Sequence, residues 1–384
     1  MNSKFDDIAP LYDHEVCQTI DELLSDPGFI HAIEYVLPGV NLEDFAKEMS
    51  SYKTKYDFQS RMISPVVWGI ARKTSASVNT TGWENIDRSK QYLYISNHRD
   101  IVLDAGILNI TLHEEGLNTT EIAIGDNLLV FPWIKKLVRL NKSFIVQRGV
   151  SVRQMLEVSK HLSEYIHYAI LHKKESIWLA QREGRAKDSN DKTQESLLKM
   201  LTLFPEKGNF IDNLKELNII PLSISYEYDP CDFLKAQEFQ LKRDNPEYKK
   251  SQKDDLINME TGLLGFKGNV HFRFGKQIND SLEKLKDVDR KLQISAAAKC
   301  IDDEIHRNYK IYPCNYIAHD LLSGDKRFDS MYSAEEKDKF EKYLKKQIEK
   351  IDMPDKDFDY LRECMLIMYS NTLKNYLTIT ESGK

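Results

Sequence analysis

From Gly82 onward, short runs rich in β-branched and aromatic residues alternate with amphipathic stretches of helical period, and this alternation constrains the fold more than any other feature of the chain. The strand-like runs are Tyr92 to Ser96, Glu121 to Gly125, Ser143 to Gln147, Ser176 to Ala180, Ile219 to Tyr226 and Val270 to Phe274. Between them the spacing predicts helices over Ile101 to Glu115, Val130 to Leu140, Val152 to His172 and Thr193 to Phe204. Strand and helix in strict alternation call for an α/β fold, a mixed β-sheet flanked by helices. The polar stretch Lys235 to Asp255 predicts a surface helix or loop inserted between the last two strands.

Helical modules bracket this region. Apolar residues recur at three- and four-residue spacing in Ile20, Leu23 and Leu24, then in Phe29, Ile33, Val36 and Leu37, predicting a helical N-terminal module over residues 1–78. The α/β domain then covers residues 79–280, and a lysine- and tyrosine-rich helical module covers 281–384. Within the first module Met62, Ile63, Val66, Val67, Ile70 and Ala71 share one helical face beside Trp68, flanked by Arg61, Arg72 and Lys73. Two readings stand for this stripe: a seam that packs one module on another, or an anchor lying in the plane of a membrane surface.

Charge and cysteine usage narrow the function classes. A net charge of -6 argues against nucleic acid as a partner. Cys17, Cys231, Cys300, Cys314 and Cys364 are odd in number and scattered, which points to reduced thiols and a cytoplasmic setting; the first residues lack the pattern of a signal peptide. No apolar run approaches the roughly 18 to 20 residues of a spanning helix, so work on lipids would require approach from the membrane surface.

Chemistry concentrates where predicted strands end. His98 follows the run Tyr92 to Ser96 and precedes a helix, with Asp100 and Asp104 close behind. In an α/β sheet the carboxyl ends of strands line the ligand crevice. An imidazole there can take a proton from a hydroxyl if a carboxylate fixes its tautomer; the alternative is a histidine that caps a turn. Arg148 ends the run Phe144 to Gln147, and Arg182, Glu183, Gly184 and Arg185 follow Ser176 to Ala180 in the same way. Guanidinium groups fork onto phosphate and glycine permits close backbone approach, although a structural ion-pair knot has the same composition. Between Asn127 and Met155 the charged residues are all basic, including Lys135, Lys136, Arg139, Lys142, Arg148 and Arg153, which predicts an anion-attracting surface.

Several common enzyme classes lose their support. His98-Arg99-Asp100 imitates the protein-kinase catalytic loop, but Ala105 stands where that signature needs asparagine, and neither a Gly-rich loop nor Asp-Phe-Gly is present. The serine-hydrolase elbow, Walker A, dinucleotide and zinc-protease patterns are absent too.

Together these blocks resemble the glycerolipid acyltransferase family of glycerol-3-phosphate and lysophosphatidate acyltransferases, over roughly Thr81 to Ile278. His98 with Asp104, Phe144 to Arg148, Glu183-Gly184-Arg185 and Pro221 fall in the order and approximate spacing of the four family blocks. Gly125-Asp126-Asn127-Leu128 and Phe274-Gly275-Lys276-Gln277-Ile278 are similar to further family segments. The first block has five residues between His98 and Asp104 where the family has four, the third lacks one residue before its arginine, and Lys142 replaces a glycine. An added residue would rotate a helical aspartate by about 100°. Either the turn at Arg99 and Asp100 absorbs it, or Asp100 takes over from Asp104; Asp104 falls closer to the family position.

The resemblance implies direct transfer of a fatty acyl group from acyl-CoA or acyl-carrier protein to a hydroxyl of glycerol-3-phosphate or lysophosphatidate. His98 would act as general base, held by Asp104 or Asp100. Arg148 and Arg185, with Arg182, Glu183 and Gly184, would form the phosphate pocket. No metal or other cofactor is called for, and the expected setting is peripheral, on the cytoplasmic face of a membrane. Two alternatives remain: the same chemistry on an amino-lipid or other non-phosphorylated acceptor, and a catalytically silent relative that binds acyl carriers or membranes.

Overall fold

The computed structural model describes residues 4–206 and 208–381. Helices α1–α5 (Val16–Leu24, Pro27–Val36, Leu42–Ser50, Lys55–Phe58 and Ser64–Thr74) precede strand β1 (Ser77–Thr81). Strands β2 (Leu93–Ser96), β3 (Glu121–Gly125), β4 (Ser143–Val146), β5 (Ile177–Ala180) and β6 (Ile219–Tyr226) are linked by α6 (Leu103–Glu114), α7 (Pro132–Leu140), α8 (Val152–Tyr168), and the pair α9 (Glu195–Leu201) and α10 (Phe210–Glu216). Helices α11 (Asp232–Asp244) and α12 (Gln252–Leu264) lead to β7 (Asn269–Phe274), and α13–α17 (Asn279–Lys284, Gln293–Arg307, Pro313–Ser323, Ala334–Glu349 and Phe358–Glu381) complete the chain.

Among the described residues the seven strands form one sheet in the order β1-β7-β6-β2-β5-β3-β4. Strands β2 to β6 are parallel to their partners among themselves, whereas β7 runs antiparallel to β6 and parallel to β1. The expected mixed sheet flanked by helices is therefore present. Its crossovers place the carboxyl ends of β2 through β6 along a single edge, with β2 the central strand of the seven-stranded sheet.

Period-two alternation explains how the sheet is covered on both faces. Leu93, Ile95, Ile177 and Leu179 face α8, α9, α10 and α14 in one core, which also takes in Phe5, Ile8 and Ala9 near the start of the chain. Tyr92, Tyr94, Trp178, Leu222 and Phe272 face α5 and α6 in the other. The N-terminal helices close on a cluster around Val16, Leu23, Phe29 and Phe58 that also takes in Leu140 of α7. A fourth cluster joins α11 to α15, α16 and α17 through Ala236, Ile317, Phe340 and Leu361.

The structure departs from the sequence expectations in two places and decides between two readings in a third. Strand β1, with the polar sequence Ser77-Val78-Asn79-Thr80-Thr81, lies where helix was expected to end; its pairing with β7, not its composition, makes it a strand. The stretch Lys235 to Asp255 is not a surface element throughout. Lys235, Glu238 and Gln240 of α11 are buried, and partners compensate them: Lys235 bonds Asp229 at 2.5 Å, Glu238 meets Lys187 and Lys242, and Gln240 donates to the Asp355 carbonyl at 2.9 Å. The stripe on α5 is a seam, since buried Val67 and Ala71 turn inward and Val67 packs in the core shared with α6.

Candidate active site

β2 delivers His98 to the carboxyl edge of the sheet, and the chain turns without helical structure until α6 begins at Leu103. This irregular turn absorbs the added residue of the first block. It brings the Asp104 carboxylate against the imidazole, with His98 Nδ1 2.8 Å from Asp104 Oδ2. The same oxygen accepts the backbone N–H groups of Arg99 at 2.6 Å and Asp100 at 3.0 Å, and the Tyr226 hydroxyl donates to Oδ1 at 3.1 Å. Asp104 is fully buried while the His98 side chain keeps 13% exposure, so the ring is the part of the pair that a substrate can reach. With the carboxylate as acceptor, Nδ1 carries the proton and Nε2 presents its lone pair. Trp178 meets the imidazole edge-on at 5.8 Å and is itself fixed by a hydrogen bond from its indole N–H to Ser96 Oγ at 3.0 Å.

Asp100 has a different task. Its Oδ1 accepts the N–H groups of Val102 and Leu103, both at 2.8 Å, and so satisfies amides at the start of α6. Burial, reinforced by the Asp104 charge, raises its pKa above the ordinary carboxylate range. Helix α12 approaches so closely here that a Cβ on Gly262 would overlap Asp100 Oδ2. Arg99 forms a buried fork on Asp191, at 2.6 and 3.2 Å, and Tyr309 donates to the same carboxylate at 2.5 Å. Burial alone would lower the Arg99 pKa, but the Asp191 charge outweighs it and the guanidinium stays ionised.

Three strands along the edge, Arg148 follows β4. At about 4.8 Å per strand, three spacings put its backbone roughly 14 Å from that of His98. Its guanidinium pairs with Glu183 Oε1 at 3.2 Å, while its N–H donates to Asp126 at 3.0 Å. Gly125 lets Asn127 and Arg148 lie close here, because a Cβ would come within 2.5 Å of Asn127 Oδ1 and 2.7 Å of Arg148 Nε. Gly184 turns the loop after β5 with φ of +67°. Arg182 and Arg185 are partly buried; among the described residues Arg182 Nε and Arg185 Nη1 meet no hydrogen-bond acceptor. Arg185 donates through Nη2 to Asn258 Oδ1 at 2.8 Å. Burial pulls the Arg185 pKa down, yet Cys231, Asp229 and Asp100 together hold it above its ordinary value.

The basic surface is smaller than expected: Lys135 and Arg153 are exposed, but other members of the set are engaged elsewhere. Lys142 Nζ is buried against the Thr119 carbonyl and Glu175, both at 2.8 Å, and its backbone adopts φ of +58°, the left-handed conformation for which glycine is the least strained residue. Arg139 donates to the carbonyls of Ala9 and Asp6, and Lys136 pairs with Glu22 at 2.8 Å. Of the residues around the imidazole, Tyr226, Trp178 and Asp191 were not anticipated. Their contacts join positions 122, 82 and 92 residues apart, and no local pattern announces them.

Residues 77–225 match the family model described as Acyltransferase. No curated protein matches the chain. The solved structures that match include the 1-acyl-sn-glycerophosphate (LPA) acyltransferase PlsC from Thermotoga maritima, at 11% identity over 71% of this chain and 94% of that one, with a TM-score of 0.34. So loose a superposition leaves the relationship resting on the sequence match. That match runs from the first residue of β1 to the penultimate residue of β6, contains the His98–Asp104 pair, Arg148 and the loop from Arg182 to Arg185, and makes this part of the chain similar to the Acyltransferase family.

Proposed function

We propose that this protein transfers a fatty acyl group from a thioester, acyl-CoA or acyl-carrier protein, to a hydroxyl of glycerol-3-phosphate or lysophosphatidate. The observation that carries the reading is the His98 imidazole, tied through Nδ1 to a buried carboxylate and accessible at the carboxyl edge of the sheet. In the proposed step Nε2 takes the acceptor hydroxyl proton as the oxygen attacks the thioester carbonyl. The tetrahedral intermediate then expels the thiolate, which receives that proton from the imidazolium. No covalent intermediate on the enzyme is involved.

Arg148, 36% exposed, is the cation best placed for an acceptor phosphate, which would compete with Glu183 for it. Apolar side chains stand exposed on the segments that follow β2, β3 and β4: Val102, Val130, Phe131, Met155 and Leu156. They favour a lipid surface at this edge, and we assign the protein to the cytoplasmic face of a membrane as a peripheral enzyme; among the described residues no helix is long and apolar enough to cross one. The engagement of Lys142 and Arg139 inside the fold, and of Arg148 by Glu183, favours a second reading in which the acceptor is an amino-lipid or a non-phosphorylated alcohol.

Thiol release from acyl-CoA and from acyl-carrier protein, measured against glycerol-3-phosphate, lysophosphatidate and an amino-lipid, tests these readings. Release that requires a phosphorylated acceptor and disappears in His98→Ala is expected. Release confined to the amino-lipid selects the second reading, and undiminished release in His98→Ala removes the mechanism.

A further inference from the structure

The Asp104 carboxylate has an asymmetric set of partners. Three donors converge on Oδ2, from the His98 ring and the backbone of Arg99 and Asp100. Oδ1 has the Tyr226 hydroxyl at 3.1 Å. Rotation of a carboxylate about its last side-chain bond is soft, so partners on one oxygen alone leave the plane of the group poorly fixed. A donor on the second oxygen sets that plane, and with it the direction from which Oδ2 meets the imidazole N–H. Tyr226 is well placed for this because it does not sit on a loop. It ends β6, lies opposite Val270 of β7 in the antiparallel pairing, and its ring is buried in the core that covers this face of the sheet. Burial and the neighbouring Asp104 and Asp100 charges raise its pKa well above the ordinary phenol value, so the hydroxyl keeps its proton and donates.

We infer that Tyr226 is a positioning residue of the acyl transfer proposed above, acting through Asp104 to keep the proton on His98 Nδ1 and the lone pair on Nε2. The inference rests on that reading of His98, but its structural half stands apart from turnover. Without the phenol, Asp104 can swing, Nδ1–H loses its aligned acceptor, and part of the population shifts to the tautomer that has its proton on Nε2 and cannot act as base. Substrate contacts are not involved, so affinity for either substrate should hardly move.

Tyr226→Phe keeps the ring and deletes the donor. The expected result is a kcat reduced about 10- to 100-fold with both KM values within about two-fold of wild type. Nitrogen-15 NMR of the substrate-free protein should show His98 passing from one tautomer, protonated on Nδ1, to a mixture. An unchanged kcat, or a fall in kcat with the His98 tautomer unaltered, overturns the inference. If the wild-type protein transfers acyl groups to no acceptor, the functional reading fails while the tautomer measurement still decides the role of Tyr226. Should Tyr226→Phe not fold, 3,5-difluorotyrosine at position 226 supplies a stronger donor of nearly the same size. It should shift the His98 Nδ1–H resonance, and an unmoved resonance refutes the coupling.

Discussion

Asp104 Oδ2 stands 2.8 Å from His98 Nδ1 and, as the same atom, receives the backbone N–H groups of the two residues that follow the histidine. One oxygen thereby closes the turn and grips the imidazole, so the shape of the loop and the tautomer of His98 are coupled. Replacing Asp104 with asparagine keeps the volume and removes the charge that the imidazolium needs. Asp104→Asn should lower kcat by about 10²- to 10⁴-fold, as removal of a general base or its orienting group does, and steady-state thiol release checks it.

Asp100 separates capping from catalysis. Because its oxygen serves the amides of Val102 and Leu103 and does not touch His98, Asp100→Asn retains an acceptor and removes a buried charge beside Asp104. Activity should stay within about three-fold of wild type and stability should be equal or higher. Asp100→Ala deletes the cap and should cost about 1 kcal/mol, measured by denaturant unfolding.

The Arg148–Glu183 ion pair makes opposite predictions for its two members. Arg148→Ala should raise KM for a phosphorylated acceptor about 10- to 100-fold, the worth of a charge-assisted hydrogen bond, while KM for the thioester is unchanged. Glu183→Gln frees the guanidinium and should lower the acceptor KM. Acceptor titrations of both variants at fixed salt distinguish them, and parallel changes in both would rule out competition between phosphate and Glu183.

Stability should depend on pH through Asp232. Burial, with a smaller push from Asp229, raises its pKa to about 7, whereas in the unfolded chain it titrates near the ordinary carboxylate value of roughly 3.9. The folded state therefore binds the proton more tightly, and the associated stabilisation is complete below about pH 4 and lost as pH rises through about 7. Asp232→Asn cannot lose it. Between pH 5 and pH 8 the wild-type protein should weaken relative to Asp232→Asn by on the order of 3 kcal/mol, and paired thermal melts at the two pH values measure this. Tyr343, Tyr369 and Gln347 hold Asp232, so the change should be confined to the packing of α16 and α17 on α11.

Met155 and Leu156 test the proposed lipid-facing edge. Both are exposed near the start of α8, and Leu156 reaches 65% exposure. Met155→Ser with Leu156→Ser should leave the melting temperature within about 2 °C, since exposed positions contribute little to folding. Sedimentation with vesicles should fall several-fold. Equal sedimentation of the double variant and wild type would show that this turn does not touch the bilayer.

Much of the sheet was legible because its strands carry their own signal. Leu93, Ile95, Ile177 and Leu179 alternate with Tyr92, Tyr94 and Trp178, and a strand buried on both faces leaves a dense apolar run in the sequence. Strand β1 has no such run because an edge strand is made by its partner. The basic stretch misled for a related reason: charge is additive along a sequence, but Lys142 and Arg139 spend theirs on Glu175 and on backbone carbonyls that only the folded chain brings near.

Local chemistry by itself determined the alternating architecture, the placement of His98 at a strand end and the arginines at two others, because helix and strand periods and turn residues act over a few positions. The tertiary structure alone decided which aspartate meets the imidazole, that Tyr226 and Trp178 frame it, and which cations remain free. The Tyr226 and Trp178 contacts span 122 and 82 positions, and burial changes the cost of every charge; neither is written in neighbouring residues.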